Sequence, residues 1–403
     1  MSEIKLKKIL IILSTIIFSS LLIACSNTNF ITPKSIVFFP DAKLEKAIRR
    51  SIDKPIGYIL MGDVYKITKL DATGITKLNG IESLTNLTDL DLHESKISSI
   101  EPLRGLTKLT KLNLNFNQIR SIEPLSGLTK LTSLFLISNQ ISDIKPLKGL
   151  INLKQLYLNH NQISNIESLK GLMKISDLMM NYNKIQSIEP LNGHTNLSSL
   201  FLNSNQISNV TPLKGLNNLF KLDLTSNQIK SLEPAGELTN LHILRIGSNQ
   251  IKNIEFLRQH TKLIELILNS NEITDITPIK DLTNLNWLEI KSNKISNIKP
   301  LKKLINLEHL HIGSNEIVNI EYITELKNMV YFNISSNKIT NIEALRDMYS
   351  LKVLFLNENK ISSIEPLKGL TNLKVLWLKS NPIVDYSPVK SYYKDLNSDF
   401  EIS

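Results

Sequence analysis

Leu109 to Leu131 reads LTKLNLNFNQIRSIEPLSGLTKL, and this stretch decides the architecture of the chain. The asparagine at position 117 recurs every 22 residues without a slip, and Ser95 and Thr73 hold the same position one and two periods earlier. The series is Asn117, Asn139, Asn161, Asn183, Asn205, Asn227, Asn249, Asn271, Asn293, Asn315, Asn337, Asn359 and Asn381. A fixed period of this length predicts one elongated domain of stacked units, in place of the two or three globular domains that 403 residues would otherwise suggest.

The repeat frame itself predicts where each part of a unit lies. The L-x-L segment is typical of a short strand whose leucines, such as Leu112 and Leu114, point into the core while the residue between them points out. Pro124 marks a turn on the opposite side. The Asn117 side chain carries both a donor and an acceptor, so its column predicts a ladder that satisfies backbone groups of adjacent coils. We therefore interpret the leucines and asparagines as scaffold.

The two ends of such an array need covers, because an open end exposes core and strand edges. Residues 37–52 have the apolar spacing of an amphipathic helix, with Asp41 as its N-cap, and residues 64–71 alternate like a strand. The last residues, 387–403, contain tyrosines and a phenylalanine that we expect to close the final core layer as a short helix. These segments predict caps at both ends.

The cap and the first repeats resemble a known family. Residues 39–50 (FPDAKLEKAIRR) and 67–92 (ITKLDATGITKLNGIESLTNLTDLDL) are similar to the start of the internalins, the leucine-rich-repeat surface proteins of bacteria, and the similarity extends to about Ile383. The resemblance implies an α/β solenoid: a curved leucine-rich-repeat array with a parallel concave β-sheet, 3-10 segments on the convex side and a helical N-terminal cap. It also implies a role in binding other macromolecules. On this basis the cap and a degenerate first repeat span 37–80, the repeats 81–386 and the C-terminal cap 387–403.

The N-terminus predicts export and lipid attachment. A basic segment, residues 1–8, precedes a largely apolar segment of sixteen residues, 9–24, which is too short for a spanning helix and typical of a secretory signal. Leu22-Ile23-Ala24-Cys25 resembles the lipobox of bacterial lipoproteins, in which the cysteine is acylated. We therefore expect residues 25–36 to tether the protein to the outer face of the bacterial cell membrane through Cys25, the sole cysteine. The alternative is an ordinary signal peptide with a chance cysteine.

Outward positions on the strands vary in identity, as a binding surface on a uniform scaffold would. A first patch of apolar side chains on neighbouring units is our prediction for the contact with a protein partner: Phe116, Phe135, Ile137, Tyr157, Met179, Tyr182 and Phe201. The alternative is an aromatic ladder that packs only on itself. We expect Phe355 and Trp377, near the C-terminal end, to pack on the cap.

A second patch lies further along the predicted sheet and consists of Trp287, His309, His311 and Tyr331. His309 and His311 face the same side of one strand, and Glu289 precedes them by one unit, so this group is a weak candidate for a metal site that lacks a clear fourth ligand. Plain partner contact is the alternative that we prefer.

Charge patterning leaves a second functional hypothesis open. The chain has a formal net charge of +10, and ten of fourteen repeats carry a basic residue two positions after the proline column. This basic stripe is Arg104, Lys148, Lys170, Lys214, Arg258, Lys280, Lys302, Arg346, Lys368 and Lys390. It predicts either local pairing with the glutamates three positions earlier or binding of an anionic envelope polymer. No catalytic constellation, cofactor motif or nucleic-acid signature is recognisable, and we expect a monomeric, non-enzymatic protein.

Overall fold

The computed structural model of the chain describes residues 32–402. Its centre is one open parallel sheet of sixteen strands whose spatial order equals their order in the chain. From β2 onward each strand pairs with the strand 22 residues later, for example Leu112 with Leu134. The strands β1 to β16 are Lys69–Asp71, Asp89–Asp91, Lys111–Asn113, Ser133–Phe135, Gln155–Tyr157, Asp177–Met179, Ser199–Phe201, Lys221–Asp223, Ile243–Arg245, Glu265–Ile267, Trp287–Glu289, His309–His311, Tyr331–Asn333, Val353–Phe355, Val375–Trp377 and Asn397–Ser398.

Short 3-10 segments form the other side of the coils and complete a curved solenoid, as the sequence predicts. Many of them begin with a proline in the first turn, such as Pro124, where a missing N–H costs nothing because that group has no partner within the turn. The segments are Ile81–Ser83, Glu101–Leu103, Glu123–Leu125, Lys145–Gly149, Glu167–Leu169, Glu189–Leu191, Thr211–Leu213, Glu233–Ala235, Glu255–Gln259, Thr277–Ile279, Lys299–Lys303, Glu321–Ile323, Glu343–Leu345, Glu365–Leu367, Ser387–Val389 and Tyr393–Asp395.

The asparagine column forms the ladder that its chemistry predicts. The Asn117 Oδ1 accepts a hydrogen bond from the Ile97 N–H at 3.0 Å, while Nδ2 donates to the carbonyls of Leu92 and Leu114 at 3.0 and 3.1 Å. The same set of bonds recurs down the array. Ser95 opens the ladder, because its Oγ accepts from the Ile75 N–H at 3.0 Å. Each unit is therefore bonded through one buried side chain to the unit before it.

The N-terminal cap differs from the expected helix over 37–52. Helix α1 spans Ala42–Ser51, and the Asp41 carboxylate accepts hydrogen bonds from two N–H groups of its first turn. Residues 37–39 lie outside the helix: the Val37 N–H bonds to the Ile59 carbonyl, and Pro40 disfavours helical backbone at Phe39. A second, four-residue helix, α2, spans Met61–Val64, so the strand expected over 64–71 is confined to β1.

The C-terminal cap is also not the short helix that we expected. It consists of two 3-10 segments followed by β16, which pairs with β15. Tyr392 is buried in the position that leucine holds in most repeats, and its hydroxyl donates to the Leu367 carbonyl at 2.6 Å. Because the core positions continue past Asn381, the chain adds one more partial coil in place of a helix.

Two histidines, His194 and His260, occupy that same leucine column and are fully buried. The ring of His194 makes one hydrogen bond, from Nε2 to the Leu169 carbonyl at 3.1 Å. Within residues 32–402 neither ring nitrogen of His260 has a partner at hydrogen-bonding geometry. Burial lowers the pKa of His260, so the ring is neutral in the folded protein.

Replacing His260 by leucine is expected to stabilise the array at neutral pH by about 1–2 kcal/mol, because the unpartnered ring nitrogens are removed and the repeat consensus is restored. The folded-state pKa is lowered, so the unfolded chain takes up this proton first as the pH falls below about 6.5. We therefore expect the wild type to lose stability in that acid range and the variant to lose less. Urea unfolding at several pH values measures both effects.

The half-buried His242 provides a matched control, since its Nδ1 already contacts the Asn240 carbonyl at 2.9 Å. His242→Leu should leave the wild-type pH dependence in place. Equal acid sensitivity in the wild type and the His260→Leu variant would contradict the assignment to His260.

Candidate partner-binding face

The concave face is formed by the outward side chains of the strands. In-register pairing places four residues of the first patch side by side on β4 to β7, namely Phe135, Tyr157, Met179 and Phe201. All four are half-buried by one another, and the Phe135 and Tyr157 rings lie 4.8 Å apart at 39°. The result is a continuous apolar row across four strands.

A parallel row borders this one on the same strands and is polar: Ser133, Gln155, Asp177 and Ser199. Ser133 donates from its hydroxyl to Gln155 at 2.9 Å. Burial raises the pKa of the Tyr157 hydroxyl, with a further contribution from the carboxylate of Asp177. An apolar strip beside a mostly uncharged polar strip has the composition of a protein–protein contact, with an apolar centre and a polar border.

Phe116 and Tyr182 lie where the chain leaves the sheet, in a left-handed backbone conformation with φ of 56° and 55°. Nine other units place serine at this position. Bulky residues are uncommon in the left-handed region, and both side chains are 51% exposed, so packing within the chain covers only about half of each. Each aromatic side chain therefore leaves about half of its surface uncovered at a backbone position that disfavours bulky residues, which favours an external contact.

His160 holds the same left-handed position one unit before Tyr182, and its ring stacks on the Tyr182 ring at 4.2 Å and 10°. His160 is not among the residues that the sequence predicts for the first patch. The edge of the first patch therefore carries three aromatic side chains, Phe116, His160 and Tyr182, with Ser138 between the first two. Ile137 lies between this edge and the row on the strands and is half-buried.

In the second patch, His309 is sandwiched between Trp287 and Tyr331. The ring centroids lie 3.5 and 4.1 Å apart, and the rings are nearly parallel. The chain of contacts continues from Tyr331 to Phe355 at 5.7 Å and from Phe355 to Trp377 at 4.8 Å. Trp377 is 41% exposed, so these last two residues extend the second patch over five strands and do not bury themselves against the cap as we expected.

The side chains of the weak metal candidate in the second patch already interact with other residues of the protein. The pKa of Glu289 is lowered to about 2. The main cause is the His309 ring, whose Nε2 lies 3.4 Å from the carboxylate, and hydrogen bonds from Asn269 and Trp287 lower it further. Burial lowers the pKa of His311 to about 4. Glu289, His309 and His311 do not bring three ligand atoms together, whereas Asp71, Asp91 and His93 place theirs within 4.8 Å of one another.

This second group of ionisable residues lies at the start of the sheet. His93 Nδ1 contacts Asp91 Oδ1 at 2.7 Å, and Asn113 donates to the other carboxylate oxygen at 3.0 Å. The Asp91 carboxylate raises the pKa of His93, and these hydrogen bonds, although opposed by desolvation, lower the pKa of Asp91. Both oxygens of Asp91 are thus already bonded within the protein.

On the convex side, most of the basic stripe is paired. Six of its ten cations lie 3.9 Å or less from a glutamate, among them Arg104 with Glu101 and Lys368 with Glu365. Both partners are exposed, so each pair contributes little stability. The pairing nevertheless neutralises much of the positive charge that a polyanion would meet.

Comparison with known proteins agrees with this architecture. The family of Leucine Rich repeats (2 copies) matches residues 85–127, 107–149, 129–171, 217–259 and 349–391. An internalin (inlF) from Listeria monocytogenes is 34% identical over 93% of this chain and 100% of that structure, with a TM-score of 0.70. A leucine-rich-repeat protein of Leptospira interrogans is 24% identical over 84% and 97% of the two chains, with a TM-score of 0.75.

The functional domain of InlJ from Listeria monocytogenes, which includes a cysteine ladder, is 22% identical over 92% of this chain and 81% of that one, with a TM-score of 0.81. At this level of identity the last two structures support the fold alone. No curated protein matches the chain in a sequence search.

Proposed function

This chain belongs to the internalin-like family of leucine-rich-repeat proteins, and from that membership we propose that it binds a protein partner through the first patch of its concave face. The observation that carries the proposal is the placement of Phe116 and Tyr182, two exposed aromatic residues in left-handed backbone at the edge of the apolar row. Exposed apolar clusters of this kind mark contact surfaces, and aromatic side chains are enriched among the residues that dominate binding energy. Adhesion to another cell or surface protein is the corresponding activity.

The second patch serves as an additional contact area in this proposal. Stacking covers both faces of the His309 ring and one face each of the Trp287 and Tyr331 rings. Strands β8 to β10 separate it from the first patch with charged side chains, including the ion pair of Arg245 with Glu265 at 2.6 Å. A partner that spans both patches would need charges complementary to those on β8 to β10. Such complementarity adds to the specificity of binding more than to its affinity.

Capture by the immobilised full chain tests the proposal. Surface proteins retained at about 0.05 M salt and still retained near 0.5 M fit an apolar, aromatic-centred contact, since screening weakens exposed charge pairs far more than apolar ones. Retention that disappears over this range would indicate the alternative, binding of an anionic envelope polymer by the basic stripe. The pairing of six of its ten cations makes that alternative the weaker one.

We also propose that the protein is held at the outer face of the bacterial cell membrane by a lipid on Cys25. Cys25 and the signal segment lie outside the described residues, and none of the helices in residues 32–402 has the length and hydropathy to span a bilayer. The support comes from the sequence, in which a basic segment and an apolar segment lead into Leu22-Ile23-Ala24-Cys25. Cys25 is also the single cysteine of the chain. Several acyl chains on one residue would hold the protein stably at a membrane.

Replacing Cys25 by serine is expected to abolish lipid attachment and to move the protein from the detergent phase to the aqueous phase in Triton X-114 partitioning. Labelling of cells with an alkyne fatty acid gives an independent readout of the acyl chains attached at Cys25. Unchanged labelling of the Cys25→Ser variant, or absence of label in the wild type, would rule out the anchor.

A further inference from the structure

Two extended segments, residues 35–39 and 58–60, pair beside the N-terminal cap. Ile36 bridges Leu60 in antiparallel fashion, and the Val37 N–H donates to the Ile59 carbonyl at 2.8 Å. Side chains alternate along extended backbone, so one face of this pair meets the core. The buried residues on that face are Val37, Phe39 and Ile59.

The other side of these segments carries large apolar residues that nothing in residues 32–402 covers. Ile36 is 61% exposed, Phe38 and Tyr58 73%, and the nearby Ile56 81%. We call these four residues the cap face. A solenoid needs its cap to bury apolar surface, and Phe39 and Ile59 do so, but the cap face has no such structural role. A clustered apolar surface of this exposure indicates a contact with something outside the chain.

The charges around the cap face favour an anionic surface as that contact. Residues 32–66 hold seven Lys and Arg against four Asp and Glu. Several of the cations have no carboxylate within 4.0 Å among the described residues: Lys34, Lys46, Arg50 and Lys66. Lys34 precedes Ile36 by two residues and is exposed. A cap with net positive charge and exposed tyrosine and aliphatic side chains matches the interface of a bilayer with anionic headgroups.

The short stretch of chain between Cys25 and Ile36 keeps the cap face close to the membrane. Ten residues lie between Cys25 and Ile36, a reach of at most about 40 Å, and the cap is the first folded element after them. We propose that the cap face docks on a bilayer of anionic phospholipids and so orients the solenoid on the cell surface. This inference rests on the proposed lipid anchor at Cys25 for its proximity to the membrane.

Quenching of tryptophan emission by brominated lipids tests the docking on the full lipidated chain. Phe38→Trp and the matched control Val384→Trp, at an exposed position (94%) near the other end of the solenoid, are each reconstituted with vesicles of brominated phosphatidylcholine and phosphatidylglycerol. The unsubstituted protein gives the background from Trp287 and Trp377. A side chain in the interface lies close to the acyl boundary, so we expect the emission added by Phe38→Trp to fall by about twofold or more. The emission added by Val384→Trp should not change.

The outcomes separate docking from anchoring. A protein that floats with the vesicles but shows no quenching at position 38 overturns the docking and leaves the anchor in place. A protein that fails to float overturns the anchor. In that case excess phosphatidylglycerol vesicles added to the same protein decide the docking alone, because quenching at position 38 supports it and unchanged emission overturns it.

Discussion

Replacing Phe135, Tyr157 and Phe201 together by alanine is expected to abolish binding of the partner while leaving the solenoid folded. Truncating a central aromatic contact residue typically costs 2 kcal/mol or more of binding free energy, so loss of three should weaken binding by about a thousandfold or more. The three side chains lie outside the core, and the aromatic contact of Phe135 with Tyr157 contributes only about 0.5–1.5 kcal/mol to folding. We therefore expect a small decrease in Tm.

The measurement is quantitative mass spectrometry of the proteins retained by immobilised wild type and variant, with circular dichroism to follow Tm. Phe220→Ala combined with Tyr349→Ala is the matched control, since both residues are exposed aromatics outside the two patches. The control should retain the wild-type set of proteins. Undiminished retention by the triple variant, or its unfolding, would remove the first patch from consideration.

Replacing Asn227 by alanine is expected to destabilise the array by about 3–5 kcal/mol, the largest effect of any single substitution that we predict for stability. The Asn227 Oδ1 accepts from the Ile207 N–H at 2.9 Å. Its Nδ2 donates to three carbonyls at 3.0 to 3.3 Å, those of Leu202, Leu224 and Thr225. Alanine leaves the buried Ile207 N–H without a partner, which costs about 1–3 kcal/mol. It also removes one of two hydrogen bonds to each of the three carbonyls, which keep only the bonds from Asn205, Asn249 and the Ser204 N–H. Each of these lost bonds adds about 0.5–1.5 kcal/mol.

Urea unfolding measures the loss, and hydrogen exchange at the Ile207 amide shows whether it is local. Asn240→Ala is the control from the same solenoid, since Asn240 is exposed and donates one bond to the Asn217 carbonyl at 2.8 Å. We expect that variant to lose less than about 1 kcal/mol. Similar losses in the two variants would show that the buried column has no special role.

The period of 22 residues was sufficient to predict the solenoid, its parallel sheet and the asparagine ladder, because each follows from stacking identical units. It could not predict the local structure of the cap, where no repeat constrains the chain. The alternation over 64–71 suggested a strand, yet Val64 ends helix α2. Over so few residues, the buried side of a short helix and the inward side of a strand produce similar patterns of apolar residues in the sequence.

The candidate site was predictable in its residues but not in their contacts. In-register stacking of Trp287, His309 and Tyr331 depends on ring orientation, which the sequence does not contain. His160 was missed because most units place serine at its position, and only the left-handed backbone shows that an aromatic residue there is unusual. The available signal was that His160 stands where most units carry serine. A comparison of each unit with that serine also identifies Phe116 and Tyr182 as unusual residues at this position.

A second ladder of asparagines was also missed although its period is visible. Asn196, Asn218 and Asn240 donate from their side chains to carbonyls of the preceding unit at 2.7 to 2.8 Å. These residues are exposed, so we had no expectation of a structural role for them. Their recurrence at 22 residues in the H-T-N, L-N-N and L-T-N segments was the available clue.

Because the order of strands in the sheet equals their order in the chain, the gene can lengthen or shorten this protein in whole coils. Loss or duplication of 22 codons anywhere between β3 and β15 would join equivalent positions and restore every ladder bond across the junction. Each such event would move the two aromatic patches by about 4.8 Å relative to each other, or leave their spacing unchanged if it fell outside them. The distance between contact areas is therefore a heritable variable that can change in steps while the core stays the same.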